Sequence, residues 1–174
     1  MADLPFKTIA LDTHIHDRQA FDCGNEDLNH YLQRTANQHG LKYLSQTFVL
    51  TRREQRNRIR GFYSIGPCEV DTCKLPAAFM KKYNGLLAVP CIRINRLAVD
   101  LSEHGKGLGK VLIIDALMRS LVVAKSVGSA AVIVDAKTKE LLSFYEKCGF
   151  MVYDELSLFL PMKTIKDLFA DLVQ

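Results

Sequence analysis

Three glycines at alternate positions, Gly105, Gly107 and Gly109, punctuate the run RLAVDLSEHGKGLGKVL between Arg96 and Leu112. The run begins as an apolar strand and ends in the first turns of a long amphipathic helix. Without Cβ atoms the backbone can turn sharply and aim successive N–H groups at one point, where the start of the helix adds partial positive charge. That arrangement suits a phosphate, and a diphosphate-bearing cofactor is the first chemistry it suggests. A dinucleotide fingerprint requires GxGxxG, and a P-loop requires GxxxxGK followed by Ser or Thr. Here the loop reads GxGxG and Lys110 precedes Val111, so neither spacing fits. On the glycines alone, a ligand-free turn opening a helix stands beside the phosphate reading.

The elements that must position this loop follow from periodicity. FDCGNEDLNHYLQRTANQHG reads as a helix capped by Asn25, with Glu26 and Asp27 at its positive end, Leu28, Tyr31, Leu32 and Thr35 on one face, and Gly40 as its stop. QTFVLT and IRGFYSI are β-rich runs, and the arginines between them (Arg52, Arg53, Arg56, Arg58 and Arg60) read as a long basic hairpin loop, either solvated or set against a phosphate backbone. CKLPAAFMKKYNGLLAVP, punctuated by Pro76 and Pro90, carries a short helix.

In CIRINRLAVD the apolar positions are even at Ile92 and Ile94 and odd at Leu97 and Val99. That shift predicts a β-bulge near Asn95 to Leu97, with a strand buried on both faces as the alternative. From Gly107 to about Val127 a helix carries Leu108, Val111, Ile114, Leu117, Met118 and Leu121 as its stripe, and Gly128 ends it. AAVIVDA is a buried strand, KELLSFYEKC a helix closed by Gly149, YDELSLFLP the last strand material and MKTIKDLFADL a terminal helix.

At 174 residues the chain fits a single domain, residues 1–174. Its five cysteines include no CxxC pair, which indicates neither a disulfide framework nor a zinc site and suits reduced thiols in a cytoplasm. MADLPFKTIA has no basic segment followed by an apolar run, and no stretch is long enough for a membrane span. The net charge of +4 favours acidic partners only mildly.

Taken in order, RLAVD, HGKGLG, AAVIVDAK and SFYEKCGF resemble the acetyl-CoA-binding core of the GNAT superfamily of N-acetyltransferases, over roughly residues 45 to 161. The resemblance implies an α+β fold with a mixed, mostly antiparallel central sheet, a bulged central strand and flanking helices. It implies acetyl-CoA as co-substrate and no metal. The superfamily loop is Gln or Arg, two residues, Gly, one residue, then Gly or Ala. His104, Gly107 and Gly109 stand in those places, with histidine as a departure at a position that contributes through its backbone N–H. Gly105, Lys106, Leu108 and Lys110 complete the expected diphosphate loop, and Leu97, Ala98 and Val99 would line the pantetheine and polarise the thioester carbonyl. Tyr145, in SFYEKCGF, matches the tyrosine that serves many GNAT enzymes as general acid.

No general base is evident. Glu69, Asp71, Asp100, Glu103 and His104 are the candidates, each read first as a surface or loop residue. An acceptor α-amine, with a pKa of about 7.7 to 8.0 and lower still on an aminoacyl ester, tolerates that absence better than a lysine near 10.4.

CGNEDLNHYL, TFVL, GFYSI, RLAVD, HGKGLG, FYEKCGF and LFLPM together are similar to the GNAT toxins of bacterial toxin-antitoxin modules, across nearly the whole chain. That resemblance implies acetylation of the α-amino group of aminoacyl-tRNA, inhibition of translation, a homodimer and a ribbon-helix-helix antitoxin. Arg34, Arg53, Arg56 and Arg93 are then the candidate tRNA contacts. Two alternatives are a GNAT acetyltransferase of a small amine or protein N-terminus, and a non-catalytic co-repressor of GNAT fold.

Overall fold

The computed structural model describes residues 5–170. Seven strands form one sheet in the order β1-β2-β3-β4-β5-β7-β6. They are β1 (Phe6–Ala10), β2 (Gln46–Arg52), β3 (Gln55–Asp71), β4 (Ala88–Val99), β5 (Ala131–Asp135), β6 (Met151–Asp154) and β7 (Ser157–Pro161). The β1/β2, β2/β3, β5/β7 and β6/β7 pairs are antiparallel, and β4/β5 is parallel. The parallel pair needs a crossover, which α4 (Leu108–Val127) supplies. The mixed, mostly antiparallel sheet with helices is the architecture expected from the sequence.

Two compact units divide the chain, one of Met1–Gly66 with Asn95–Asp115, the other of Pro67–Ile94 with Ala116–Gln174. Strands β3 and β4 and helix α4 each run from one into the other. In the first unit Phe21, Tyr31, Leu32, Ala36, Val49, Ile59, Phe62 and Ala98 form the core. In the second, Val70, Leu75, Val89, Cys91, Ala131, Ile133 and Phe159 do so, with Phe79, Met80 and Tyr83 packed against them from α3 (Ala77–Lys82) and the residue after it.

The first helical segment is α1 (Glu26–His30), a π-helical turn over Tyr31–Thr35, and α2 (Ala36–Leu41). The Asn25 side chain accepts the Leu28 N–H, as a cap should. The wider π turn advances the buried face by one residue, so Ala36 is buried where a regular wheel places Thr35. The helix ends at Leu41 rather than Gly40, and Tyr43 takes the left-handed conformation beyond it, with φ 57°.

Two other expectations need correction. The arginine segment is not a long loop: only Arg53 and Glu54 turn, and Arg56, Arg58 and Arg60 lie at alternate positions of β3. On α4 the buried residues are Leu108, Leu112, Ile113, Ala116, Leu117 and Ser120, while Val111, Ile114 and Met118 are exposed. In β4 Val89, Cys91, Ile92, Ile94 and Ala98 are buried, with Leu97 and Val99 half-buried, so the strand buries both faces around Cys91 and Ile92.

The terminal pieces match. Gly128 (φ 83°) follows α4, Gly149 (φ 97°) follows α5 (Lys139–Lys147), and α6 spans Met162–Ala170; Asp171 and Leu172 of the expected helix lie outside the described residues.

Candidate active site

The glycine loop rests on two buried carboxylates. Asp100 caps the short 3₁₀ turn Leu101–Glu103, accepting the Ser102 N–H (3.0 Å) and hydroxyl (2.6 Å) on Oδ1 and the Asp22 N–H (3.1 Å) on Oδ2. Its own N–H donates to the Arg60 carbonyl at 2.9 Å, and the Leu101 N–H donates to the Asp22 carbonyl at 2.8 Å. Glu103 is only 1% exposed. Its Oε1 accepts from Arg60 (2.9 Å) and Arg52 (3.3 Å), and its Oε2 from Lys106 Nζ (2.9 Å). Arg58 Nη2 lies 3.9 Å from Asp100 Oδ1.

Hydrogen bonding from Lys106 outweighs burial and holds the Glu103 carboxyl below the usual carboxylate range. Burial pushes Asp100 up, but the bonds from Ser102 and Asp22 bring it below that range too. Both are ionised, and four cations share these two carboxylates, leaving a positive surplus beside the loop.

Above this floor Gly105 and Gly107 are left-handed, with φ 76° and 75°, and no atom lies within 4 Å of where a Cβ would stand on either. They shape an open turn. Gly109 does not turn the chain; it lies in the first turn of α4. Among the described residues the N–H groups of Gly105, Lys106, Gly107, Leu108 and Gly109 have no acceptor, and the Lys110 N–H is the first bonded, to the Gly107 carbonyl at 3.1 Å. Five consecutive free donors with surplus positive charge beneath them fit a diphosphate.

His104 stands directly before these donors. Its backbone N–H donates to the Leu101 carbonyl at 3.3 Å, and its ring Nε2 lies 2.8 Å from the Val99 carbonyl. A carbonyl only accepts, so that nitrogen carries the proton and the imidazole braces the end of β4.

Tyr145 lies in the second unit, on α5, whose start is fixed by Thr138 accepting the Leu141 N–H at 3.2 Å. The tyrosine is 7% exposed, edge-on to Phe144 and Phe150 at 5.3 and 5.9 Å. Burial, reinforced by Cys148 and Asp135, pushes its phenol up to about 12. The group stays protonated wherever an amine is a nucleophile, so it can donate a proton or hydrogen bond and cannot serve as a base.

The remaining candidates divide. Asp100 and Glu103 are buried, ion-paired supports rather than surface bases. Glu69 and Asp71 line a cavity of about 190 Å³ with Lys74, Arg93, Tyr153 and Asp154. Arg93 is paired with Asp135, whose other carboxylate oxygen accepts the Ser157 hydroxyl at 2.7 Å, so this arginine is already engaged. Arg34, Arg53 and Arg56 are exposed in the first unit. The supporting roles of Arg52, Arg60 and Glu103 escaped the sequence reading. The available signal was the period-two spacing of Arg56, Arg58 and Arg60, which marks one strand face. Among the described residues no cluster of His, Cys, Asp and Glu could hold a metal, and no helix is long and apolar enough to cross a membrane.

Residues 23–163 match the family model for the acetyltransferase (GNAT) domain. A tRNA-acetylating toxin of Mycobacterium tuberculosis is 33% identical, over 89% of this chain and 92% of its own. A probable toxin TacT of Sinorhizobium fredii is 29% identical, over 91% and 92%. Among solved structures, AtaT complexed with acetyl-methionyl-tRNAfMet superposes with a TM-score of 0.86 at 26% identity, covering 94% of this chain and 99% of that one. AtaTR bound with acetyl-CoA gives 0.77 at 25%, over 95% and 98%. A tyrosine-to-phenylalanine mutant of AtaT bound to the C-terminus of the antitoxin AtaR gives 0.78 at 26%, over 95% and 98%.

Proposed function

Because the chain belongs to the GNAT acetyltransferase family, we propose that it is an acetyl-CoA-dependent N-acetyltransferase toxin that acetylates the α-amino group of aminoacyl-tRNA and thereby inhibits translation. The observation that carries this reading is the match to a tRNA-acetylating toxin along about nine-tenths of both chains, joined to a loop with five free N–H donors. When bound, acetyl-CoA would supply the activated acetyl group. Gly105 to Gly109 would hold its diphosphate through backbone N–H groups, with Lys110 adding charge. Leu97, Ala98 and Val99 would line the pantetheine.

Tyr145 would be the general acid. A phenol held near 12 is a weaker acid than a thiol of about 8.5. It would therefore hydrogen-bond to sulfur as charge develops; as the C–N bond forms and the C–S bond breaks, the proton lost by the attacking amine would pass to solvent and CoA would leave as the thiol, protonated from solvent. The lack of a strong base supports an α-amine acceptor, since Asp100 and Glu103 are occupied with arginines and His104 with Val99. The partners of this reading are aminoacyl-tRNA, a second copy of the chain and a ribbon-helix-helix antitoxin.

A cell-free translation reaction tests the toxin reading. Protein with acetyl-CoA should stop synthesis, and omission of acetyl-CoA or use of Tyr145→Phe should restore it. Full synthesis in the presence of active protein and acetyl-CoA would overturn the reading.

A further inference from the structure

We infer that Glu103 is the positioning residue of the cofactor loop, and that the arginine segment serves this loop before any nucleic acid. Glu103 carries nearly no exposed surface, yet it gathers one cation from β2, one from β3 and one from the loop itself: Arg52, Arg60 and Lys106. The Arg60 contact is nearly buried on both sides, with side chains 14% and 1% exposed, so water screens it little. Lys106 stands between the two left-handed glycines, and its Nζ donates both to Glu103 Oε2 at 2.9 Å and to the Ser102 carbonyl at 3.0 Å. Those two bonds from one ammonium restrain the middle of the turn that carries the free N–H groups.

The backbone reinforces the same link. Arg60 holds Glu103 through its guanidinium and Asp100 through its carbonyl, so one β3 residue braces both ends of the 3₁₀ turn that leads into the glycines. A diphosphate meeting a pre-shaped row of donors does not have to order the loop on binding, and the saving appears as affinity. Removing the Glu103 charge releases Lys106 and leaves Arg60 without its counter-ion. The expected loss falls on cofactor affinity and spares turnover once the cofactor is saturating.

This inference rests on the acetyl-CoA part of the proposed function but not on the identity of the acceptor. The test is calorimetry with CoA on wild type, Glu103→Gln and the double variant Glu103→Gln/Arg60→Gln, which removes the two buried partners together and leaves only the solvent-exposed Arg52 without its carboxylate. Turnover of charged tRNA at saturating acetyl-CoA is measured alongside. Loss of a charge-assisted contact predicts a Kd for CoA raised about ten-fold or more in both variants, with kcat within about two-fold of wild type. A Kd unchanged in a folded variant, or a fall in kcat without a change in Kd, would overturn the positioning role. Wild type that fails to bind CoA would overturn the cofactor reading and this inference with it. Wild type that binds CoA but ignores charged tRNA would refute only the acceptor, with the variants' Kd values still deciding the role of Glu103.

Discussion

The Tyr145 phenol sits among Phe144 and Phe150 with its pKa pushed up to about 12 by burial. Tyr145→Phe keeps the ring and removes the donor. It should lower kcat by about 10²-fold or more while leaving the Kd for CoA within about two-fold, read by steady-state kinetics and calorimetry. Because the folded value lies above the unfolded value of about 10, ionisation favours unfolding as pH rises past 10. The phenol itself imposes no alkaline limb on kcat below that pH. Glu103 and Asp100 work in the opposite sense. Their depressed values stabilise the fold fully above the ordinary carboxylate range, and that contribution disappears as pH falls through the folded values. Melting temperature followed from pH 7 downward should therefore drop through the acid range, and Glu103→Gln should flatten the drop.

At the scale of elements, the loop depends on the close approach of β3 to the end of β4. A Cβ on Gly61 would stand 3.1 Å from the Ala98 carbonyl oxygen and 3.0 Å from Leu112 Cδ1. The carbonyl is backbone and cannot swing away. Gly61→Ala should cost about 1 to 3 kcal/mol, seen as a lower denaturation midpoint. Leu112, fully buried on α4, should cost about 2 to 5 kcal/mol when cut to Ala. Elements with a strong local signature were legible in the sequence: the Asn25 cap, the Gly128 and Gly149 stops, and the strands about Val49, Phe62 and Val132. The α4 stripe read from the sequence shares Leu108 and Leu117 with the buried face and no more, because the helix is apolar on two sides and only packing distinguishes Leu112 and Ile113 from Val111 and Ile114. The π turn at Tyr31–Thr35 shifts a wheel that assumes 3.6 residues per turn. The Glu103 cluster was hidden because its arginines lie 43 and 51 residues away, beyond the reach of any periodicity.

For the whole molecule, the cations that composition alone would assign to an acidic partner are unevenly committed. Arg52, Arg58 and Arg60 face carboxylates, and Arg93 faces Asp135. Arg34 and Arg56 project from the first unit with no such pairing among the described residues. Charge reversal of Arg34 and Arg56 should therefore weaken association with charged tRNA and reduce its salt dependence, while leaving the Kd for CoA unchanged. Filter binding at two salt concentrations would read the first effect and calorimetry the second. Equal tRNA affinity in the variant would remove these arginines from the interface.

The central claim is tested most directly by transfer of labelled acetyl from acetyl-CoA to a pool of aminoacylated tRNA, with uncharged tRNA, a polyamine and a peptide as parallel acceptors. The account predicts label on charged tRNA alone, released with the amino acid when the ester is hydrolysed and absent with Tyr145→Phe. Label on the polyamine or peptide, with charged tRNA left unmodified, would contradict it.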